Sequence, residues 1–254
     1  MKPNGKVFFI TGGASGLGEA TVRYFTALDN KAAIIDMSED RGQAITHELG
    51  DQTIFVKTDV TSETDMQAAV DATMEKFGRI DVLVACAGIG SGTKVFGKKG
   101  PHPLEAFNKV LQINVVGTFN AIRLVVEQMS KNEPNEEGER GVLITTSSTA
   151  AWEGQIGQTA YAASKGAING MVLPIARELA SLGVRIVSIA PGTMATPALL
   201  ALPEKVQEGL AKMVPFPSRL GRPEEFAHLI GCVLENCMLN GTVIRQDAAL
   251  RMQA

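Results

Sequence analysis

The sequence has little cysteine and no concentrated positive charge. Its 254 residues include three cysteines, which have neither the even number of a disulfide framework nor the paired CxxC spacing of a zinc site. We therefore expect reduced thiols and no bound metal, as is usual in a cytoplasmic protein. A net charge of −3 at pH 7 provides no basic field for nucleic acid, so no nucleic-acid partner is expected.

Long apolar runs and leader sequences are also lacking. No uninterrupted apolar run reaches the roughly 18 residues that a bilayer-spanning helix requires. Residues 1–6 lead almost directly into an apolar strand, which leaves no room for a signal or transit peptide. We therefore predict a cytoplasmic protein without a membrane partner.

The sequence does contain a large apolar fraction, and its short apolar runs alternate with segments of helical period. Hydrophobic residues make up 45% of the chain and charged residues 20%. The alternation predicts an α/β fold, a Rossmann-type doubly wound parallel sheet with helices on both faces. We predict one domain, residues 1–254, with a dinucleotide-binding part of about residues 1–140 and a catalytic and substrate part of about residues 141–254.

A glycine-rich turn follows the first predicted strand. The strand covers residues 6–10, the turn TGGASGLG covers residues 11–18, and a helix is predicted for residues 19–28. Glycines let the backbone approach a pyrophosphate, whose negative charge is stabilised at the helix N-terminus. The pattern predicts a dinucleotide site that includes Gly12, Ser15, Gly16, Leu17 and Gly18.

Acidic residues follow the next two predicted strands. Asp36 ends the strand of residues 31–35, where a carboxylate accepts hydrogen bonds from both ribose hydroxyls and repels a 2′-phosphate, so NAD is predicted rather than NADP. The alternative is that Asp36 caps the following helix. After the strand of residues 53–57, Asp59 would hydrogen-bond the adenine edge and Val60 would cover its face, with a helix N-cap as the alternative for Asp59.

A serine, a tyrosine and a lysine follow the apolar run of residues 141–146. Tyr161 and Lys165 are four residues apart in an alanine-rich segment predicted to be helical, so their side chains would share one face. An ammonium group favours the phenolate and would lower the pKa of Tyr161 towards the range useful for proton transfer. Ser148 supplies a hydroxyl upstream. The alternative is a half-buried tyrosine beside a solvated lysine.

Further segments are predicted to reach the same edge of the sheet. The buried strand of residues 81–88 ends in small residues that let a cofactor approach, and the turn of residues 191–197 follows another strand. Residues 193–217 are apolar and long enough to form a lid, with ordinary core packing as the alternative. Asn114 is a poor helix former within the helix predicted for residues 104–130.

Taken together, these motifs resemble the short-chain dehydrogenase/reductase superfamily over essentially the whole chain. The resemblance does not extend to Ala85, where the family often has an asparagine that supports the central strand. We therefore expect the alanine to affect the stability of the fold more than the chemistry of the site. The residues that carry the resemblance are 11–18, Asp36, Asp59, Cys86-Ala87-Gly88, Asn114, Ser148, Tyr161 with Lys165, and Pro191-Gly192 with Thr196.

The resemblance implies an NAD-dependent enzyme that interconverts a secondary alcohol and a ketone. It implies that Tyr161 takes the substrate proton, that Ser148 hydrogen-bonds the same oxygen, and that Lys165 holds the nicotinamide ribose. Asn114 would position a water that relays the proton outward. The nicotinamide half of NAD would be lined by Cys86, Gly88, Met194 and Thr196.

A narrower resemblance, to the 3-hydroxyacyl-CoA dehydrogenase branch of this superfamily, is carried by residues 132–142, 151–166, 173–179, 214–221 and 239–253. It implies that the small-molecule substrate is an acyl-CoA thioester, (S)-3-hydroxyacyl-CoA being oxidised to 3-oxoacyl-CoA. It also implies a homotetramer. A hydroxysteroid or another secondary alcohol is the alternative substrate, and a non-catalytic NAD-binding scaffold is a further alternative.

Three residues are expected to contact the substrate beyond the reacting groups. Gln155, which stands between Ser148 and Tyr161, would lie on the substrate side. Lys98 and Lys99, in the lysine-rich surface excursion of residues 89–103, would meet the phosphates of coenzyme A, with simple solvation as the alternative. The presence of Ser148, Tyr161 and Lys165 argues against the scaffold.

Overall fold

A computed structural model describes residues 1–90, 92–98 and 100–253. The strands are β1 (Val7–Thr11), β2 (Lys31–Asp36), β3 (Thr53–Lys57), β4 (Val82–Ala85), β5 (Phe96–Gly97), β6 (Gly100–Pro101), β7 (Gly141–Thr146), β8 (Val184–Pro191) and β9 (Thr242–Gln246). The α-helices are α1 (Gly16–Thr26), α2 (Glu39–Leu49), α3 (Glu63–Phe77), α4 (Leu104–Leu111), α5 (Thr118–Met129), α6 (Ala150–Glu153), α7 (Thr159–Leu179), α8 (Pro197–Leu200), α9 (Glu204–Lys212) and α10 (Pro223–Glu235).

Seven strands form one sheet in the order β3-β2-β1-β4-β7-β8-β9. Every neighbouring pair in this sheet is parallel. The order reverses between β1 and β4, which is the arrangement of a doubly wound sheet. The predicted fold class is therefore confirmed, and strands from both predicted parts of the chain join in this one sheet.

Helices cover both faces of the sheet because successive strand residues point to opposite sides. Phe8 packs on one face with Phe25 of α1 and Phe226 of α10. Phe9 packs on the other face with Val70 of α3 and Val125 of α5. All six side chains are fully buried.

The strand register brings the predicted motifs to one edge. Thr11 at the end of β1 is level with Ile35 in β2 and with Ala85 in β4. Thr146 at the end of β7 is level with Ile189 in β8. Because the strands are parallel, the loops that follow them emerge at the same carboxyl edge, which is where open α/β sheets bind ligands.

The predicted helix of residues 104–130 contains a π-helical segment, Gln112–Gly117, between α4 and α5. The continuous helix Leu104–Met129 is long and apolar enough to cross a membrane by length and composition, with a mean hydropathy of 1.3 over its best window. This helix is not an uninterrupted apolar run, because polar residues such as Asn114 and Arg123 lie within it, so the expectation for uninterrupted runs is not contradicted. Since 56% of that window is buried, the segment is accounted for as a core helix of the fold.

Two parts of the chain differ from their predicted form. The excursion of residues 89–103 contains a short antiparallel hairpin of β5 and β6, which has no clear sequence signal. Lys98 is exposed, whereas the prediction for Lys99 lies outside the described residues. The predicted lid contains α8 and α9. Leu200 is 50% exposed and Phe216 is 84% exposed, whereas Met194 and Val214, towards the two ends of the segment, are buried.

Candidate active site

The glycine turn is packed so closely that side chains are excluded from it. A Cβ on Gly18 would overlap with the carbonyl of Gly12, and a Cβ on Gly12 would lie 2.8 Å from the backbone nitrogen of Ala87. Gly16 has a φ of +56°, in the left-handed region that favours glycine. The local backbone therefore requires glycine at these positions, as a phosphate-binding turn does.

The start of α1 faces this turn with free donors. Ser15 is the N-cap residue, and within the described structure its side chain makes no capping hydrogen bond. The backbone N–H groups of the first helical turn, at Gly16, Leu17 and Gly18, are thus available to an anion, and the helix dipole favours negative charge there.

Asp36 is held beside the glycine turn by two backbone donors. One carboxylate oxygen accepts a hydrogen bond from the N–H of Ala14 at 3.0 Å, and the other accepts one from the N–H of Ser38 at 2.9 Å. The N-cap of α2 is Ser38 and not Asp36. The alternative reading of Asp36 as a helix cap is therefore wrong, and the carboxylate is oriented by the turn itself.

Asp59 and Val60 lie next to each other after β3. The carboxylate of Asp59 accepts hydrogen bonds from the N–H and hydroxyl of Thr61, at 2.9 and 2.8 Å. The N-cap of α3 is Ser62, so Asp59 is not the cap. Val60 is buried against Gly117, and its carbonyl accepts a hydrogen bond from Asn120. Asp59 and Val60 thus place a carboxylate and an apolar side chain at fixed positions beside the π-helical segment.

Tyr161 and Lys165 meet on one face of α7, as the spacing predicts. The Lys165 Nζ lies 5.6 Å from the centroid of the Tyr161 ring. It also donates a 2.6 Å hydrogen bond to the carbonyl of Thr146 at the end of β7. Lys165 is only 6% exposed, so the alternative of a solvated lysine is wrong.

The electrostatics of this pair differ from the expectation. Burial raises the pKa of the Tyr161 phenol, and a hydrogen bond with Ser148 opposes that rise. Burial also lowers the pKa of Lys165 to about 8, against a small opposing effect of Cys86. In this structure Lys165 does not lower the pKa of Tyr161, because its ammonium group donates to the Thr146 carbonyl and lies over the tyrosine ring. Tyr161 is therefore held as a neutral phenol, ready to donate a proton.

The buried lysine predicts a dependence of stability on pH. The folded pKa of about 8 lies below the ordinary value of 10.5, so between these values the unfolded chain binds more protons than the folded one. The free energy of unfolding of the wild type should therefore rise with pH in this window, by roughly 3 kcal/mol relative to Lys165→Met.

Chemical denaturation of both proteins from pH 7 to pH 10 measures this difference. Lys212→Met is the control, because that side chain is 79% exposed. A difference between wild type and Lys165→Met that stays constant across the window would contradict the assignment of Lys165 as a buried cation.

Ser148 lies at the end of β7 within reach of the phenol. Its hydroxyl accepts a 3.1 Å hydrogen bond from the N–H of Ala150, the first residue of α6. Its neighbour Ser147 donates to the carbonyl of Lys165 at 3.2 Å, which ties the strand end to α7. Ser148, Tyr161 and Lys165 thus belong to one rigid group of elements.

Asn114 explains the π-helical segment. Its side-chain oxygen accepts from the N–H of Ile89 at 2.8 Å, and its amide donates to the carbonyl of Ile89 and to the hydroxyl of Ser164 at 3.0 and 2.9 Å. Both N–H groups of the amide are therefore occupied, whereas the side-chain oxygen and the main-chain carbonyl, which accepts from Thr118, each have a second lone pair for a proton-relay water. Asn114 joins the loop after β4 to α7.

The four residues predicted to line the nicotinamide half of NAD have different surroundings. Gly88 lies against the Asn114 amide and the Lys165 ammonium, and Thr196 lies against Gly16 of the glycine turn. Burial raises the pKa of Cys86 to about 11, so this thiol stays neutral. The side chain of Met194 packs against Gly221 at the base of the lid, and the backbones of the two residues form a β-bridge.

Gln155 is engaged with the C-terminal tail. Its amide donates a 2.9 Å hydrogen bond to the carbonyl of Gln253, and its own N–H donates to the side chain of Gln158. Among the described hydrogen bonds, none joins Gln155 to Ser148 or Tyr161. That Gln155 lies on the substrate side stays a prediction; in this structure its side chain is directed to the tail.

Sequence reasoning missed several residues of this site. Ser164 connects Asn114 to the carbonyl of Tyr161. The Thr146 carbonyl, which accepts a hydrogen bond from the Lys165 ammonium, has no side-chain signal because it belongs to the backbone. Ser164 directly precedes Lys165, and its position on the buried face of α7 was the available signal.

The site as a whole fits a nicotinamide dinucleotide. A glycine cradle and free helix N-terminal donors suit the pyrophosphate, and an oriented carboxylate suits the adenosine ribose. Gly88, Thr196 and Lys165 mark the opposite end, next to Tyr161 and Ser148. Among the described residues, no group of three or more histidine, cysteine, aspartate or glutamate side chains is arranged to hold a metal ion.

Comparisons with known proteins agree with this geometry. Residues 6–207 match the family model described as short chain dehydrogenase. The chain is 53% identical over 251 residues to the 3-hydroxyacyl-CoA dehydrogenase type-2 of Homo sapiens, an alignment that covers 98% of this chain and 96% of that protein.

Two solved structures are also similar to the chain. The 3-hydroxyacyl-CoA dehydrogenase type-2 from Mycobacterium avium has a TM-score of 0.94 and 41% identity, over 98% of this chain and 97% of that one. A 7α-hydroxysteroid dehydrogenase complexed with NADH and 7-oxo glycochenodeoxycholic acid has a TM-score of 0.88 and 26% identity, over 99% of this chain and 96% of that one.

Proposed function

This chain belongs to the short-chain dehydrogenase family and is an oxidoreductase that uses a nicotinamide dinucleotide, and from this we propose a specific reaction. We propose that the enzyme interconverts (S)-3-hydroxyacyl-CoA and 3-oxoacyl-CoA with NAD. The observation that carries the chemistry is the convergence of Ser148, Tyr161 and Lys165 at the edge of the sheet where the glycine turn also lies. The names of the relatives support the choice of substrate.

Ser148 and Tyr161 act on the substrate oxygen in the proposed mechanism. NAD, held by the glycine turn, Asp36 and Lys165, would supply the acceptor for the hydride that leaves the substrate carbon. In the direction of oxidation, the phenol proton of Tyr161 first leaves to a water positioned by Asn114, and the resulting phenolate takes the proton of the substrate hydroxyl. In the reverse direction the neutral phenol donates its proton to the ketone oxygen. The Ser148 hydroxyl stabilises the charge that develops on this oxygen.

Lys165 and Asn114 hold the surroundings of the reacting groups. The Lys165 ammonium lies between the Thr146 carbonyl and Gly88, where it would also hold the nicotinamide ribose. Asn114 fixes the position of Ile89 next to Gly88, so the backbone around the nicotinamide is rigid. A water positioned by Asn114 would relay the proton outward from Tyr161.

Asp36 supports a preference for NAD over NADP. Both carboxylate oxygens are oriented by backbone donors, so the negative charge stays in place at the end of β2. The side chain of the next residue, Met37, is exposed and uncharged. A 2′-phosphate brought to this position would be repelled, whereas ribose hydroxyls would donate to the carboxylate.

The lid supports an apolar substrate segment. Leu200, Leu202, Val206 and Phe216 are exposed by 50%, 42%, 44% and 84%, which is unusual for a run of large apolar side chains. An acyl chain would bury part of this surface. Hydroxysteroids are the second candidate, because the 7α-hydroxysteroid dehydrogenase shares the fold and a steroid would bury the same surface.

A substrate panel tests this function. The purified protein is assayed with short and medium (S)-3-hydroxyacyl-CoA thioesters and with hydroxysteroids, each with NAD and with NADP, by following the reduced nicotinamide. We expect the highest kcat/KM for the acyl-CoA thioesters with NAD, at least about tenfold above NADP, which corresponds to about 1.4 kcal/mol. A higher kcat/KM for hydroxysteroids would show that the substrate is a hydroxysteroid and not an acyl-CoA thioester.

We also propose a homotetramer in the cytoplasm. Val116 and Phe119, on the outer side of the helix that contains the π-helical segment, are 44% and 49% exposed, and Leu173 on α7 is 46% exposed. Apolar surface of this kind supports contact with further copies of the chain. The three free cysteines support a reducing compartment.

A further inference from the structure

The C-terminal tail, residues 247–253, folds back over α6. Ala248 and Ala249 have φ values of 49° and 63°, a left-handed conformation that residues other than glycine rarely adopt. Asp247 holds this turn by accepting from the N–H of Ala249 at 3.1 Å, and Leu250 anchors it because its side chain is fully buried. The tail therefore has one fixed path.

Arg245, near the end of β9, connects this tail to α6. Its guanidinium donates to a carboxylate oxygen of Asp247 at 2.7 Å and to Glu153 at 2.8 Å. It also donates to the carbonyl of Leu250 at 3.2 Å. The Arg245 and Asp247 side chains are 25% and 8% exposed, so these ion pairs are shielded from solvent more than ordinary surface pairs are.

Glu153 is the partner on α6. Besides Arg245, it accepts from the N–H of Met252 at 3.1 Å and forms an ion pair with Arg251 at 3.4 Å. Its side chain is 19% exposed. Three separate groups of the last strand and the tail thus converge on one carboxylate.

Helix α6 connects these contacts of the tail to Ser148. The helix begins at Ala150, whose N–H is bonded to the hydroxyl of Ser148, and ends at Glu153. Gln155 follows and is itself bonded to the tail at Gln253. A displacement of Glu153 would therefore move both the orientation of Ser148 and the loop that leads to Tyr161.

We propose that Arg245 and Glu153 are positioning residues that clamp α6 and so hold Ser148 in the geometry required for turnover. Neither side chain touches the reacting groups. This inference rests on the proposed chemistry of Ser148 and Tyr161, and it does not depend on which secondary alcohol is the substrate.

Trp152 provides a direct probe of the clamp. It is the single tryptophan of the chain, and the Arg245 guanidinium lies 5.2 Å from its ring centroid. Its emission therefore reports whether Arg245 is in place. Glu153→Gln keeps the shape of the side chain and its hydrogen bond to Met252 but removes the charge that pairs with Arg245.

The experiment is a double-mutant cycle with Glu153→Gln and Arg245→Gln in the full-length chain. It uses the substrate on which the wild type is most active. We expect each single variant to lower kcat about tenfold, to leave the affinity for NADH within about twofold, and to change Trp152 emission. The double variant should lose about as much kcat as either single variant, because both break the same clamp.

The matched control is Glu48→Gln. On the outer surface, the Arg23 guanidinium donates two hydrogen bonds to the Glu48 carboxylate, at 2.7 and 2.9 Å, and this variant breaks that comparable ion pair. It should leave kcat and Trp152 emission unchanged. If Arg245→Gln fails to fold, Arg251→Gln takes its place in the cycle, since that side chain is 62% exposed. Altered Trp152 emission with unchanged kcat, or kcat losses that multiply in the double variant, would overturn the proposal.

Discussion

Replacing Tyr161 with phenylalanine should lower kcat by about 10³-fold, because the variant has no group that exchanges a proton with the substrate oxygen. The ring, its packing and the Lys165 contact are retained, so the affinity for NADH should stay within about twofold. Steady-state kinetics and NADH fluorescence titration measure the two quantities separately.

Tyr24→Phe is the matched control for this prediction. Tyr24 is the other tyrosine of the chain and packs edge-on against Phe25 and His228, on the opposite face of the sheet. It should retain wild-type kcat. If Tyr161→Phe keeps wild-type turnover with any substrate of the panel, Tyr161 is not the proton-transfer group.

Replacing Gly18 with alanine should weaken dinucleotide binding by tenfold or more. The added methyl would overlap with the carbonyl oxygen of Gly12, which is backbone and has no room to move because Gly12 itself packs on Ala87. The turn must therefore shift, at a cost of about 1–3 kcal/mol, and its N–H groups lose their alignment with the pyrophosphate. Titration with NADH and thermal unfolding measure the two effects.

Gly231→Ala is the control for the glycine prediction. Gly231 lies in α10, and none of the described atoms beyond its own helix lies within 4 Å of an added Cβ. Since alanine is the better helix former by about 0.5–1 kcal/mol, this variant should be slightly more stable and bind NADH normally. Equal affinity for NADH in Gly18→Ala and Gly231→Ala would show that the turn does not bind the cofactor.

The part of the site that lies at strand ends could be predicted from the sequence. Asp36, Ser148 and the glycine turn each follow an apolar run, and parallel strands bring their carboxyl ends to one edge. Tyr161 and Lys165 could be paired because helix geometry relates residues four apart. These inferences depend on local periodicity, which a single sequence contains.

The rest depends on contacts that a sequence does not contain. The pKa of Tyr161 was expected to fall, but burial dominates and the Lys165 ammonium is directed to the Thr146 carbonyl. Arg245 and Glu153 are 92 residues apart and carry no spacing signal. The π-helical segment arises from the bonds between Asn114 and Ile89, which require the packed fold.

The two bonds between Asn114 and Ile89 also bear on how such an enzyme diversifies. The backbone of Ile89 is held by the Asn114 side chain at one end of this stretch, and Pro103 is the N-cap residue of α4 at the other end. Residues 90–103 thus leave and rejoin the scaffold at anchored points. Insertions or deletions between those points would alter the rim of the cleft without removing the hydrogen bonds of Asn114, so this stretch is where new substrate ranges can be acquired.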